Sequence, residues 1–158
     1  VRTRREMRRL ADTLIAPIQV RVPADPEELF AALVASVGAW RGREVVVHRA
    51  VFPPHTASGL WLERDDHELV VVDRRAAPWH QLVIFCHEVW HMHRGAAGGA
   101  RTDFTLADEQ EADRFGMLMG GRLRDRLAPP AGPTARDTDP TGLARRIGAA
   151  LDHRGTRP

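Results

Sequence analysis

At 158 residues the chain suits one domain with one sizeable core, and its short hydrophobic runs, such as "LVIF" and "LVVV", exclude a bilayer-spanning helix. Its 23 basic residues, all arginine, nearly balance 21 carboxylates; a net charge of +2 excludes a uniformly basic surface, so nucleic acid is not expected as a partner and any basic patch must be local. One cysteine, Cys86, excludes an intramolecular disulfide, and no apolar core and cleavage site follow the basic opening, so the expected compartment is the cytoplasm.

In "RREMRRLADTL", Met7, Leu10, Ala11 and Leu14 recur at helical spacing while Arg4, Arg5, Arg8 and Arg9 fall mostly elsewhere, which predicts an amphipathic helix. Its arginines suit a phosphate or an acidic partner, but the plainer reading is a solvated face, since charge alone carries no sequence information. In "ADPEELFAALVASVGAW", Asp25 suits an N-cap, Pro26 the first helical position, and Glu28 lies three residues after the cap. A second helix is expected to end near Val37, so that the two helices occupy residues 3–38.

Residues 43–73 change pattern. "REVVVHRAV", "GLWLER" and "HELVVVD" are β-branched or alternating, and "RDD" supplies turn chemistry. They predict two or three antiparallel strands with a hairpin near Asp65 and Asp66, and "FPPHTASG" is loop. "PWHQLVIFCHEVWHMHRG" then has helix length, with Pro78 for a first turn and Gly95 for a stop. Apolar nearly all round, this helix over 77–93 is expected to be central and buried.

After a loop in "GAAGGARTDFT", helical spacing returns over 106–126, with Asp108 as N-cap and Glu111 at the third helical position, or Thr105 as the other candidate cap. The domain is therefore expected to span 1–127. Residues 128–158 are rich in Pro, Gly and polar residues and read as a linker with a short helix in "TGLARRIGAALDH". The class is α+β, helices packed on a small antiparallel sheet.

The chemistry lies in "FCHEVWHMH". His87 and His91, four residues apart, project from one helix face about 40° from each other, so their ring nitrogens can converge on one ion. Neutral imidazole is a good zinc ligand, and Glu88 on the same turn can reach an adjacent water as general base without ligating. A catalytic zinc needs a third protein ligand and an open position. Asp108, Glu109, Glu111 and Asp113 are near candidates. Relative to the apolar stripe of Ala112, Phe115, Leu118 and Met119, Glu111 lies within about 60° of the centre, Glu109 about 100° and Asp113 about 140° away. An inward carboxylate needs a compensating cation, which makes Glu111 the expected ligand and Glu109 the fallback.

"HEVWH" followed by "EQEADRFG" resembles the ImmA/IrrE family of bacterial zinc metallopeptidases, whose second motif has the form E-A-(N/D)-x-F-A. An arginine-only cation set of the kind GC-rich bacterial genomes produce agrees with that. The resemblance spans residues 25 to 125 and is specific at the two motifs. It implies a zincin-like minimal metallopeptidase fold, Zn2+ on His87, His91 and Glu111, and Glu88 as catalytic glutamate. It also implies a narrow protein substrate, a separately encoded helix-turn-helix repressor or antitoxin-like regulator.

Three departures stand in the motifs: Trp90 where Gly is usual, Gly116 where Ala is common, and Asp113 where Asn is commoner. Trp90 is the one expected to narrow the cleft. With no tyrosine in the chain, an oxyanion donor must be His80, His93, an arginine or zinc itself. His80 and His93 otherwise read as packed or solvent-facing imidazoles, Cys86 as a core thiol, and Trp61 and Trp90 as packing residues. The departures motivate an alternative: a non-proteolytic interaction module of a toxin–regulator pair, with zinc structural or absent.

Overall fold

The computed structural model describes residues 1–95 and 104–127. The linker and short helix expected over 128–158 lie outside them, as does most of the loop expected after Gly95. Four helices and three strands follow in the order α1 (Arg2–Ile15), α2 (Pro26–Arg41), β1 (Glu44–Ala50), β2 (Gly59–Glu63), β3 (His67–Asp73), α3 (Pro78–Gly95) and α4 (Leu106–Arg124). The α+β class is as expected, and no described helix is long and apolar enough to cross a membrane.

Local signals act largely as chemistry dictates. Met7, Leu10, Ala11 and Leu14 form the buried stripe of α1. The Asp25 carboxylate accepts from the Glu27 N–H at 2.8 Å and caps α2, with Pro26 in the first turn. That helix runs past Val37 to Arg41 and stops at Gly42, whose φ of 73° is left-handed and suited to glycine. The Arg64 N–H donates to the His67 carbonyl at 2.9 Å, closing the hairpin that joins β2 to β3.

The sheet corrects one expectation. Its order is β1-β3-β2, with β2 antiparallel to β3 but β1 parallel to it. The sheet is therefore mixed, not antiparallel. Alternation shows which face of a strand is buried and says nothing about its neighbour. Residues 51–58 carry the chain past one strand position, a step of about 10 Å that eight residues span easily. That crossing puts β2 at a sheet edge.

Trp61, Glu68, Val70 and Val72 are buried on the face that meets α3. A Cβ at Gly59 would lie 2.7 Å from Ile84 Cγ2, and one at Gly95 would lie 2.8 Å from Trp61 Cζ3, so two glycines let β2 and α3 approach closely. Fully buried Glu68 accepts from Arg41 Nε at 2.7 Å and from Trp61 Nε1 at 2.8 Å, which compensates its charge. The central helix α3 is buried over most of its length, as expected, and packs against α2, β2, β3 and α4.

The start of α4 departs from expectation. Thr105 is the N-cap and accepts from the Asp108 N–H at 3.2 Å, while Asp108 Oδ2 accepts from the Thr105 N–H at 2.9 Å. The pair is a reciprocal capping box with Asp108, not Glu111, at its third helical position. Two cap candidates stood three residues apart, each with an acid three residues later, and the helix starts at the earlier one, which adds most of a turn to α4.

Candidate metal centre

Helix α3 brings His87 and His91 together because they lie one turn apart on the face that meets α4. Their Nε2 atoms stand 3.0 Å apart. Glu109 of α4 reaches across, one oxygen 3.2 Å from His87 Nε2 and the other 3.0 Å from His91 Nε2. Ligands at zinc bond lengths in a tetrahedral site stand ~3.3 Å apart, close to this spacing. The His-His-Glu group can thus hold a metal ion.

The protonation pattern fits that role. Burial and the neighbouring His87 hold His91 below the ordinary imidazole value, favouring the neutral ring that binds metals. Asp113, one turn beyond Glu109, accepts from His87 Nδ1 at 2.8 Å. That bond fixes the tautomer of His87 and leaves the Nε2 lone pair facing its partners. Phe104 stacks on His91 with ring centroids 3.7 Å apart and planes 23° apart, holding the second ring in place.

Glu88 is buried on the next position of α3, with Oε1 only 2.8 Å from where a Cβ of Gly59 would stand. Burial first, and the charge of Glu109 second, push its carboxyl up to about 8. A dication between the two carboxylates would favour the ionised form and reverse that shift. A cleft of about 460 Å³ opens here between β2, α3 and α4, and Glu88, Glu109 and Asp113 line it with His80, His87 and His91. Among the described residues no arginine lines it. Three carboxylates converging with no arginine among the described residues form a setting that a bound cation would relieve.

The other residues singled out in the sequence lie elsewhere. Glu111, expected as third ligand, is 3.6 Å from Arg94 Nε, and its Oε2 is buried without a hydrogen-bond partner among the described residues. Its inward position is as the stripe predicted, but inward on α4 means toward the α3–α4 interior, whereas the histidines stand at the flank where the cleft opens. Trp90 is 1% exposed, packs on Phe115 with centroids 5.1 Å apart and does not line the cleft. His93 donates to Glu6 at 2.8 Å, away from the cleft. Of the two histidines considered as oxyanion donors, only His80 faces the cleft. Burial pushes the Cys86 thiol up and leaves it a core group.

Sequence reasoning passed over Asp113, Phe104 and Gly59. For Asp113 a signal existed: Glu109 and Asp113 repeat the four-residue spacing of His87 and His91, so two helices can meet along matched faces. Gly116 carries a further reason of its own. A Cβ there would stand 2.8 Å from the Val83 carbonyl oxygen, and one at Gly120 would stand 2.6 Å from Val83 Cγ2. Gly116 thereby lets α4 lie directly against the turn carrying His87. The chain matches no family model, no curated protein and no solved structure.

Proposed function

We propose that the chain is a zinc-dependent endopeptidase of the ImmA/IrrE type, cutting an extended segment of a separately encoded regulator, a helix-turn-helix repressor or antitoxin-like protein. The observation that carries this reading is the convergence of His87, His91 and Glu109 beside a buried Glu88 in an open cleft. When bound, zinc supplies Lewis-acid chemistry, polarising a carbonyl and making water acidic near neutral pH. Glu88 takes the proton of the attacking water on a carboxylate oxygen and passes it to the leaving amine, so the proton count closes. His87 and His91, oriented by Asp113 and Phe104, stay fixed through the step.

The edge strand supports a peptide substrate. Ser58 and Arg64 are hydrogen-bonded to Asp73 and His67 of the β3 side, so by antiparallel alternation Gly59, Trp61 and Glu63 turn their N–H and C=O groups away from β3. An extended peptide added along that edge would pass Glu88. Trp90, buried away from the cleft, removes the steric ground for a non-proteolytic reading.

The test uses the zinc-loaded chain and the regulator encoded beside its gene. Cleavage at one peptide bond, abolished by Glu88→Gln while zinc content is unchanged, is the expected result. Cleavage that survives Glu88→Gln unchanged overturns the mechanism.

A further inference from the structure

Helix α1 carries five arginines in eight residues, Arg2, Arg4, Arg5, Arg8 and Arg9, all exposed. The helix also holds two carboxylates, and both face other partners. Glu6 accepts from His93 Nε2 at 2.8 Å and lies 3.7 Å from Arg94 Nη1, while Asp12 pairs with Arg122 at 2.5 Å. None of the five arginines enters an ion pair among the described residues. Arg2 and Arg5, Arg4 and Arg8, Arg5 and Arg8, and Arg5 and Arg9 stand three or four apart, where like charges repel. The overall charge of +2 therefore conceals a concentrated cationic face whose self-repulsion a polyanion would relieve.

One ridge of that face borders a groove. Arg2, Arg5 and Arg9 line a groove of about 740 Å³ together with Trp40, His93 and Glu6, whose carboxylate is taken up by His93. The three arginines rise about 10 Å along the helix, a span on the scale of successive phosphates in an extended strand. Trp40 is half-buried, tilted 48° against the His93 ring at 5.8 Å, and held there because Glu6 fixes His93. A row of cations beside a fixed aromatic ring is the arrangement by which single-stranded nucleic acids are bound without sequence preference. Trp40 packs in part against the core, and an acidic peptide would satisfy the arginines while making no use of the part of the indole that lines the groove. The groove shares no lining residue with the metal-centre cleft, so the two sites stand or fall separately.

We propose that this face binds single-stranded nucleic acid, with phosphates on Arg2, Arg5 and Arg9 and a base stacked on Trp40. The probe is a fluorescently labelled oligothymidylate titrated with the full chain, followed by anisotropy across a salt series. With three phosphate contacts, log affinity should fall with log salt at a slope of about −2, and Arg5→Glu with Arg9→Glu should make that slope shallower by about 1.4. The double change should also weaken binding at least ~10-fold at low salt, whereas Arg64→Glu with Arg74→Glu, equal in charge and distant in sequence, should leave it near the parent value. Arg5→Gln with Arg9→Gln repeats the test without new carboxylates, and circular dichroism verifies each fold. Trp40→Ala should keep the slope and lose about 5- to 100-fold in affinity. Equal binding by the parent and both double variants overturns the proposal. So does displacement by polyglutamate as effective as by unlabelled oligonucleotide, or capture by phosphatidylserine vesicles with none by the oligonucleotide.

Discussion

The two flanks of the α3–α4 pair are built from the same residue types and reach opposite ends. On the cleft side, His87 and His91 face Glu109 and Asp113, and no arginine stands among them in the described residues. On the other, Glu6, His93, Arg94 and Glu111 close into ion pairs beside Trp90, with Arg94 between the two glutamates. Histidine and carboxylate in proximity do not by themselves make a metal centre. What distinguishes the flanks among the described residues is the cation: arginine supplies it on one side, while the other holds a His-His-Glu group that could take a metal ion.

The sharpest way to break that comparison is to exchange the roles of the two glutamates. Glu109→Ala should lower zinc affinity by more than the ~10–100-fold that losing an outer hydrogen-bond partner costs, while Glu111→Gln should leave it within a few-fold. Chelator competition followed by metal analysis reads both. Retention of zinc in Glu109→Ala with loss in Glu111→Gln would return the third position to Glu111. A smaller effect is expected one shell out. Asp113→Asn keeps an acceptor for His87 Nδ1 but loses its charge, and zinc affinity should fall within that ~10–100-fold range; an unchanged affinity would reduce Asp113 to a surface residue.

Why Glu111 looked better from the sequence is instructive. A helical wheel measures distance from the apolar stripe, and Glu111 is indeed nearer the interior, 23% exposed in its side chain against 44% for Glu109. The ranking of burial was legible. A catalytic metal, however, needs a ligand at the edge of the core, where a cleft can reach it, and the edge is set by how α3 crosses α4. Pairing by sequence distance likewise could not reveal that Arg94 claims Glu111, or that β1 runs parallel to β3. The histidine pair, the α2 cap and the α1 stripe depend on neighbours within four residues and could be read from them.

The crossing itself can be perturbed. Gly116→Ala would drive a Cβ against the rigid Val83 carbonyl at 2.8 Å, whereas the Cβ of Gly120→Ala meets the movable Val83 side chain at 2.6 Å. Overpacking of this kind costs about 1–3 kcal/mol, and the larger share is expected at Gly116, whose clash partner cannot rotate away. Gly116→Ala should also weaken zinc binding, because α4 carries Glu109 and Asp113 with it as it shifts. Equal melting temperatures for the parent and Gly116→Ala would show that the helices have room to spare.

The smallest effect tests where α4 begins, since that turn sets the direction from which Glu109 departs. If Thr105 is the cap, Thr105→Ala should cost about 1 kcal/mol in chemical denaturation; if Asp108 capped the helix, the change would be nearly neutral. The acid limb separates the two further. The hydrogen bond from Thr105 holds the Asp108 carboxyl below its ordinary 3.8, so the box stabilises the fold fully above that value and loses its contribution as pH falls through it toward the lower folded value. Thr105→Ala removes the side-chain donor but keeps the backbone N–H at position 105, so it brings the two values closer and should make stability against pH shallower in that window. An acid limb identical to the parent's would mean that Asp108 draws nothing from the Thr105 hydroxyl.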